Sequence, residues 1–123
     1  MNKETNVFQY ANNCEKIFEA NLANVGNYRR RTMFYSDLSI AEWYNEDSVK
    51  DTYKRVMKEW IGNIEYITEF ILCLNWKCWE HHAKKNESLS LLYHDLYYEA
   101  ADKVCEHYKN DKKSLMYYYE ILD

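Results

Sequence analysis

The chain of 123 residues has no proline and only two glycines, Gly26 and Gly62. Sandwiches, barrels and βαβ units turn on these residues, so their scarcity argues for a chain made of helices. There is no run of 18 apolar residues, and the first ten residues, MNKETNVFQY, are polar. Neither a membrane span nor a signal peptide is expected, which points to a soluble, cytoplasmic protein. Four cysteines without a secretion signal are expected to be reduced thiols rather than a disulfide framework. Catalytic signatures are missing too: no glycine-rich phosphate loop, G-x-S-x-G, H-E-x-x-H or E-x-x-H. An enzyme is therefore not expected, nor a cofactor. A formal net charge of -4 gives no overall attraction to nucleic acid or anionic lipid, so any such contact needs a local patch.

What the chain does have is aromatic: 13 Tyr, 4 Trp and 4 Phe. This length suits one domain, residues 1–123, that can bury a core without staples. Val7, Ala11, Cys14, Phe18, Leu22 and Val25 share a face, predicting a helix from Thr5 to Val25 with Gly26 as its left-handed cap. Residues 27–37, NYRRRTMFYSD, break the period and read as a loop or short extended segment. Ser39 with Glu42 three residues on resembles a capping box, predicting a short helix from Ser39 to Tyr44. Ser48 and Asp51 repeat that pattern.

After them an apolar stripe runs from Val49 through Tyr53, Val56 and Trp60 to Ile64, Ile67, Ile71, Leu74 and Cys78, in phase across Gly62. A straight helix from Ser48 to Lys84 would be roughly 55 Å long, against about 30 Å for such a domain. It must bend at Gly62, the weak point, or project into another chain. A helix from the Asn86–Ser88 break to about Lys109, and a last one from Lys113 to Leu122, complete the expectation. The fold class is all-α: a single-domain bundle of four or five helices around one long central helix.

Four constellations are candidates for function. In CLNWKCWEHH, residues 73–82, Cys78 shares a helix side with His81 and His82, a weak metal-site alternative. Cys73 lies about 140° round the axis, and C-x4-C followed by adjacent histidines fits no zinc pattern. The simpler reading makes Cys78 a small core hydrophobe and the histidines a helix end. Trp76 and Trp79 lie on a second apolar face; Trp79 reads more readily as core, Trp76 equally well as a partner anchor. Arg29, Arg30 and Arg31 stand among Tyr28, Phe34 and Tyr35, and Lys50, Lys54 and Lys58 repeat at i+4. Together they would form an RNA- or DNA-binding patch, or a solvated basic surface that pairs with acids. Tyr97, Tyr98, Tyr117, Tyr118 and Tyr119 cannot all face a core, because neighbours on a helix point about 100° apart. Glu15/Glu19 and Glu65/Glu69 read as exposed acidic pairs.

The stretches FYSDLSIAEWY, VKDTYKRVMKEWIGNIEYITEFILCLNWKCWEHH and LSLLYHDLYYEA carry a resemblance to a set of small helical proteins of bacterial genomes, phages and mobile elements with no defined activity. Asn75-Trp76-Lys77 and Trp79-Glu80-His81 carry it most clearly. The resemblance implies an accessory gene and transfers no functional residue. By analogy of kind it suggests an inhibitor of host defence, of the anti-CRISPR type. The expectation is thus a non-enzymatic protein that binds a host protein, such as a CRISPR-type nuclease or its RNA complex. Its expected contact set is Arg29, Arg30, Arg31, Trp76, Tyr97, Tyr117 and Tyr119. The long helix also makes a homodimer an expectation.

Overall fold

The computed structural model describes residues 25–122. Five helices follow one another: α1 (Val25–Tyr44), α2 (Glu46–Trp60), α3 (Ile64–Ala83), α4 (Glu87–His107) and α5 (Lys112–Leu122). The helix read over Thr5 to Val25 lies almost wholly outside the described residues.

Asparagine and aspartate supply the punctuation that glycine and proline supply elsewhere. The Asn45 side chain accepts the Ser48 N–H at 2.8 Å, Asn63 that of Tyr66 at 3.2 Å, and Asn86 that of Leu89 at 3.4 Å. Asp111 accepts the Ser114 N–H at 3.1 Å. Each satisfies an N–H that the first turn leaves without a partner. The capping-box readings at Ser39 and Ser48 are therefore corrected. Ser39 is inside α1, and Ser48 is the third residue of α2, behind its cap Asn45.

The stretch 27–37 is helical, not a loop, and Gly26 falls in the first turn of α1 instead of capping an earlier helix. The expected Ser39–Tyr44 helix is the last part of α1. The helical period is hidden because half of its inward positions are polar. Phe34, Leu38 and Ala41 are buried, but Arg31, Tyr35 and Glu42 are spent on partners in α3.

The Ser48–Lys84 stripe is two helices, not one. Residues 61–63 break it at the expected weak point, Gly62, and α3 folds back along α2. Trp60 stacks on Tyr66 with centroids 4.1 Å apart, and Tyr53 stacks on Phe70 at 6.2 Å, an antiparallel pairing. The Tyr108 hydroxyl donates to the Ile61 carbonyl at 2.7 Å, tying the end of α2 to α4. The stripe keeps its phase because both helices turn the same face to one core. Each helix fits a domain of this size, so neither end needs to project.

At the end of α3 the chain closes a Schellman turn: Asn86 N–H donates to the His81 carbonyl at 2.8 Å and Lys85 N–H to that of His82 at 3.1 Å. Lys85 takes the left-handed position, with φ 62°. The first four helices run up, down, up, down, with α1 and α3 parallel. Arg30 meets Glu65, Arg31 meets Glu69 and Glu42 meets Lys77, so contacts advance together along both helices. Helix α3 is central and packs against each of the other four. Phe34 sits in the core with its ring edge-on to Phe70 at 5.3 Å. Val49 and Val56 from α2, Ile67, Ile71 and Leu74 from α3, and Ala100 and Val104 from α4 fill the rest. No described helix is long and apolar enough to cross a membrane.

Candidate interaction surface

The α1–α3 seam is held by charge. Arg30 Nη1 lies 2.9 Å from Glu65 Oε2, with its guanidinium 4.2 Å from the centre of the Tyr66 ring. Arg31 Nε donates to Glu69 Oε2 at 2.7 Å and its guanidinium lies 5.1 Å from the Trp76 ring centre. Glu69 is fully buried, so Glu65/Glu69 is not an exposed acidic pair. A buried carboxylate must be paired, and Arg31 supplies the pairing. Two of the three arginines read as a contact patch are thus paired within the chain, Arg31 with a buried acid and Arg30 with an exposed one.

A polar centre closes the other end of the seam. Lys77 is 3% exposed, and its Nζ lies 3.1 Å from Glu42 Oε2 and 3.1 Å from Glu80 Oε2. The Lys77 ammonium also sits 4.3 Å from the Tyr35 ring centre. The Tyr35 hydroxyl donates to Glu80 Oε1, and His81 Nε2 meets Glu42 Oε1. Facing a carboxylate, Nε2 is the nitrogen that carries a proton, while Nδ1 is buried without a partner. Tyr93 of α4 stacks on the His81 ring at 5.7 Å, with the two ring planes parallel.

The charges set the titration of this centre. Burial opposes ionisation of Glu80, but hydrogen bonds from Tyr35 and Lys77 and the charges of Lys77 and Lys84 prevail, and its pKa is lowered. The Tyr35 phenol is pushed up to about 12, first by its hydrogen bond to Glu80 and then by burial. Burial above all, with the charge of Glu42, raises Tyr93 far above the usual phenol range.

Glu42, Glu80 and His81 offer ligand atoms within 4.8 Å of one another and form the group with metal-ligand spacing among the described residues. The Lys77 ammonium already provides the positive charge between the carboxylates. Cys78, His81 and His82 are not brought together. Cys78 Sγ lies 3.7 Å from Ser90 Oγ, and His82 sits edge-on to Trp79 at 5.9 Å. Among the described cysteines, Cys73, not Cys78, lies deepest in the core. It is fully buried, donates to the Arg31 carbonyl at 3.4 Å, and burial pushes its thiol up to about 12.

This geometry fixes where the tryptophans point. Successive helical residues turn about 100°. In α1, one step past Glu42 is Trp43. In α3, one step before Lys77 is Trp76, and one before Glu80 is Trp79. For parallel helices joined through Glu42, Lys77 and Glu80, these opposite steps lead to the same side of the pair. The reverse steps reach Ala41 and His81, which are buried at 6% and 7% exposure. Trp43, Trp79 and Trp76 are 81%, 64% and 41% exposed, so they occupy the outer side, away from the core. Trp79 is thus surface, not core, and is more exposed than Trp76. On this face α1 presents Thr32, Ser36 and Ser39 besides Trp43, and α3 presents Leu72 and Ala83 besides its two tryptophans. None of these residues is charged, but the Arg31 guanidinium lies 5.1 Å from the Trp76 ring, and the same side carried towards the start of both helices reaches Arg29 and Glu65.

The other residues singled out from the sequence are spread over the fold. Arg29 is exposed on α1. Lys50 lies 4.0 Å from Asp47, and Lys54 and Lys58 line a shallow groove with Met57, Ile61, Asp102 and Glu106. That groove is at the α2–α4 seam, so these lysines do not continue the arginine run. Tyr97 is half-buried with its ring 5.3 Å from that of Tyr98, and Tyr117 is half-buried on α5. The Tyr119 hydroxyl lies 3.5 Å from Cys105 Sγ at the α4–α5 seam. The expected contact set is therefore divided between two regions. Sequence reading missed Trp43, Lys77 and the role of Glu42. A lysine on the core-facing part of an apolar helix was the visible signal for the second.

Comparison with protein-family models, with curated proteins and with solved structures found no match to this chain.

Proposed function

We propose that the protein is a non-enzymatic binding protein that acts by protein–protein contact through the outer face of the α1–α3 pair. One observation carries this reading: Trp43, Trp76 and Trp79 stand exposed together on one side of a helix pair locked by the buried Lys77–Glu42 and half-buried Arg31–Glu69 ion pairs. Tryptophan supplies large contact area at low entropy cost and dominates interface hot spots. A rigid pair of helices keeps it positioned before the partner arrives. The resemblance to phage and mobile-element proteins suggests which partner to try first: a nuclease of a host defence system, of CRISPR type, or its RNA complex.

The nucleic-acid alternative draws less support, because Glu65 and Glu69 hold Arg30 and Arg31 within the fold. Affinity capture from host lysate with the full chain, at low and raised salt, separates the two. Protein contact through the tryptophan face should survive salt and should be lost in Trp79→Ala. Capture of nucleic acid that weakens steeply with salt and ignores Trp79→Ala would overturn the proposal.

A further inference from the structure

We infer that the face carrying Trp43, Trp76 and Trp79 is covered, in the free protein, by a second copy of this chain in a two-fold dimer. The inference rests on the protein-contact reading and names the occupant of the same face before another partner displaces it.

Three features favour a second copy. The first is charge. Charged residues make up 29% of the chain, yet the outward positions from Thr32 to Trp43 and from Leu72 to Ala83 carry none. A two-fold contact places a surface against itself, so like charges would meet across it and oppose association. The charged groups that border this stretch are already paired within the fold: Arg31, whose guanidinium lies 5.1 Å from the Trp76 ring, with Glu69, and Glu80 with Lys77. The second is area. Indoles exposed by 81%, 64% and 41% leave on the order of 400 Å² of ring surface in water, taking 150–250 Å² per buried aromatic. That is about half of the ~800 Å² that each partner buries in a standard interface, and the neighbouring serines, threonine, leucine and alanine extend it. The third is shape. Helices α1 and α3 have 20 residues each, so they lie parallel over about 30 Å and offer a rigid two-helix layer. Two such layers stack as a four-helix arrangement.

The formal net charge of -4 on each copy adds a signature. It repels the copies at long range while the charges beside the contact are paired within each copy, so added salt should tighten the dimer by screening.

Sedimentation velocity of the full chain over a concentration series is the test, on wild type, Trp43→Ala/Trp79→Ala and Ser36→Glu, with circular dichroism to confirm folding. Ser36→Glu sets like charges face to face at an exposed position without removing any apolar contact. The expected result is a concentration-dependent dimer that salt strengthens and that either variant weakens at least tenfold. A wild type that stays monomeric while partner capture still requires Trp79 would overturn the dimer and leave the protein-contact reading intact. A dimer untouched by both variants would also overturn it, by placing self-association on another surface. A tryptophan-dependent dimer beside tryptophan-independent capture would support the dimer and sink the protein-contact reading.

Discussion

Lys77 stands between Glu42 and Glu80, its ammonium 3.1 Å from a carboxylate oxygen of each, and is 3% exposed. One lysine joins the end of α1 to α3 and fixes the turns that carry all three exposed tryptophans. Replacing it should be costly, because Glu42 would lose its ammonium partner and Glu80 would keep only the exposed Lys84 as a counter-charge. Lys77→Met is expected to lose about 3–5 kcal/mol in urea unfolding, the range for breaking one side of a buried pair. A loss below about 1 kcal/mol would mean the carboxylates find other partners.

Arg31 and Arg29 should separate in the same way. Arg31 pairs with the fully buried Glu69, whereas Arg29 lies exposed on α1. Arg31→Ala is expected to cost about 3 kcal/mol, Arg29→Ala within about 0.5 kcal/mol of nothing. Equal effects in thermal or urea unfolding would contradict the assignment of Arg31 to the fold.

The pH dependence follows from the Tyr35–Glu80 bond. Glu80 has a lowered pKa in the folded chain, so its contribution is present above its unfolded value and is lost as pH falls through the folded one. Tyr35 is raised to about 12, so its contribution is full below the unfolded value of about 10 and is lost as pH rises towards 12. The stability gap between wild type and Tyr35→Phe, read by urea unfolding, should be constant near neutral pH. It should narrow below about pH 4.5 and again above about pH 10. A gap that ignores pH would show that the bond contributes nothing.

Two backbone positions offer stabilising changes. Lys85 holds a left-handed φ of 62° at the end of α3, where glycine has no Cβ to strain. Lys85→Gly should gain about 1 kcal/mol. Gly62 has a negative φ, and a Cβ there meets no atom within 4 Å, so Gly62→Ala should gain about 0.4–1 kcal/mol. Both read out as a raised Tm; a fall in either would contradict the local geometry.

Helix content, the final helices and the weak point at Gly62 were legible, because apolar spacing and turn residues are local signals. The start of α1 was not. Its inward positions include Arg31 and Tyr35, whose partners Glu69 and Glu80 lie 38 and 45 residues away. The helix start at Asn45 was overlooked in favour of Ser48, although asparagine caps at least as well, and the start at Asn63 was hidden by a stripe that stays in phase across Gly62. Trp79 was misjudged for a different reason. A helical wheel gives the angle between residues but not which side the neighbours cover, and only the parallel packing of α1 and α3 settles that.

The central claim is that Trp43 and Trp79 serve contact and not folding, and stability and binding measured on one variant test it most directly. At a concentration where both are monomeric, Trp43→Ala/Trp79→Ala should unfold in urea within about 1 kcal/mol of wild type, as two exposed substitutions should, and it should fail to capture the protein partner. Wild-type capture by the folded variant would contradict the account, as would a large loss of stability that accompanies any loss of binding.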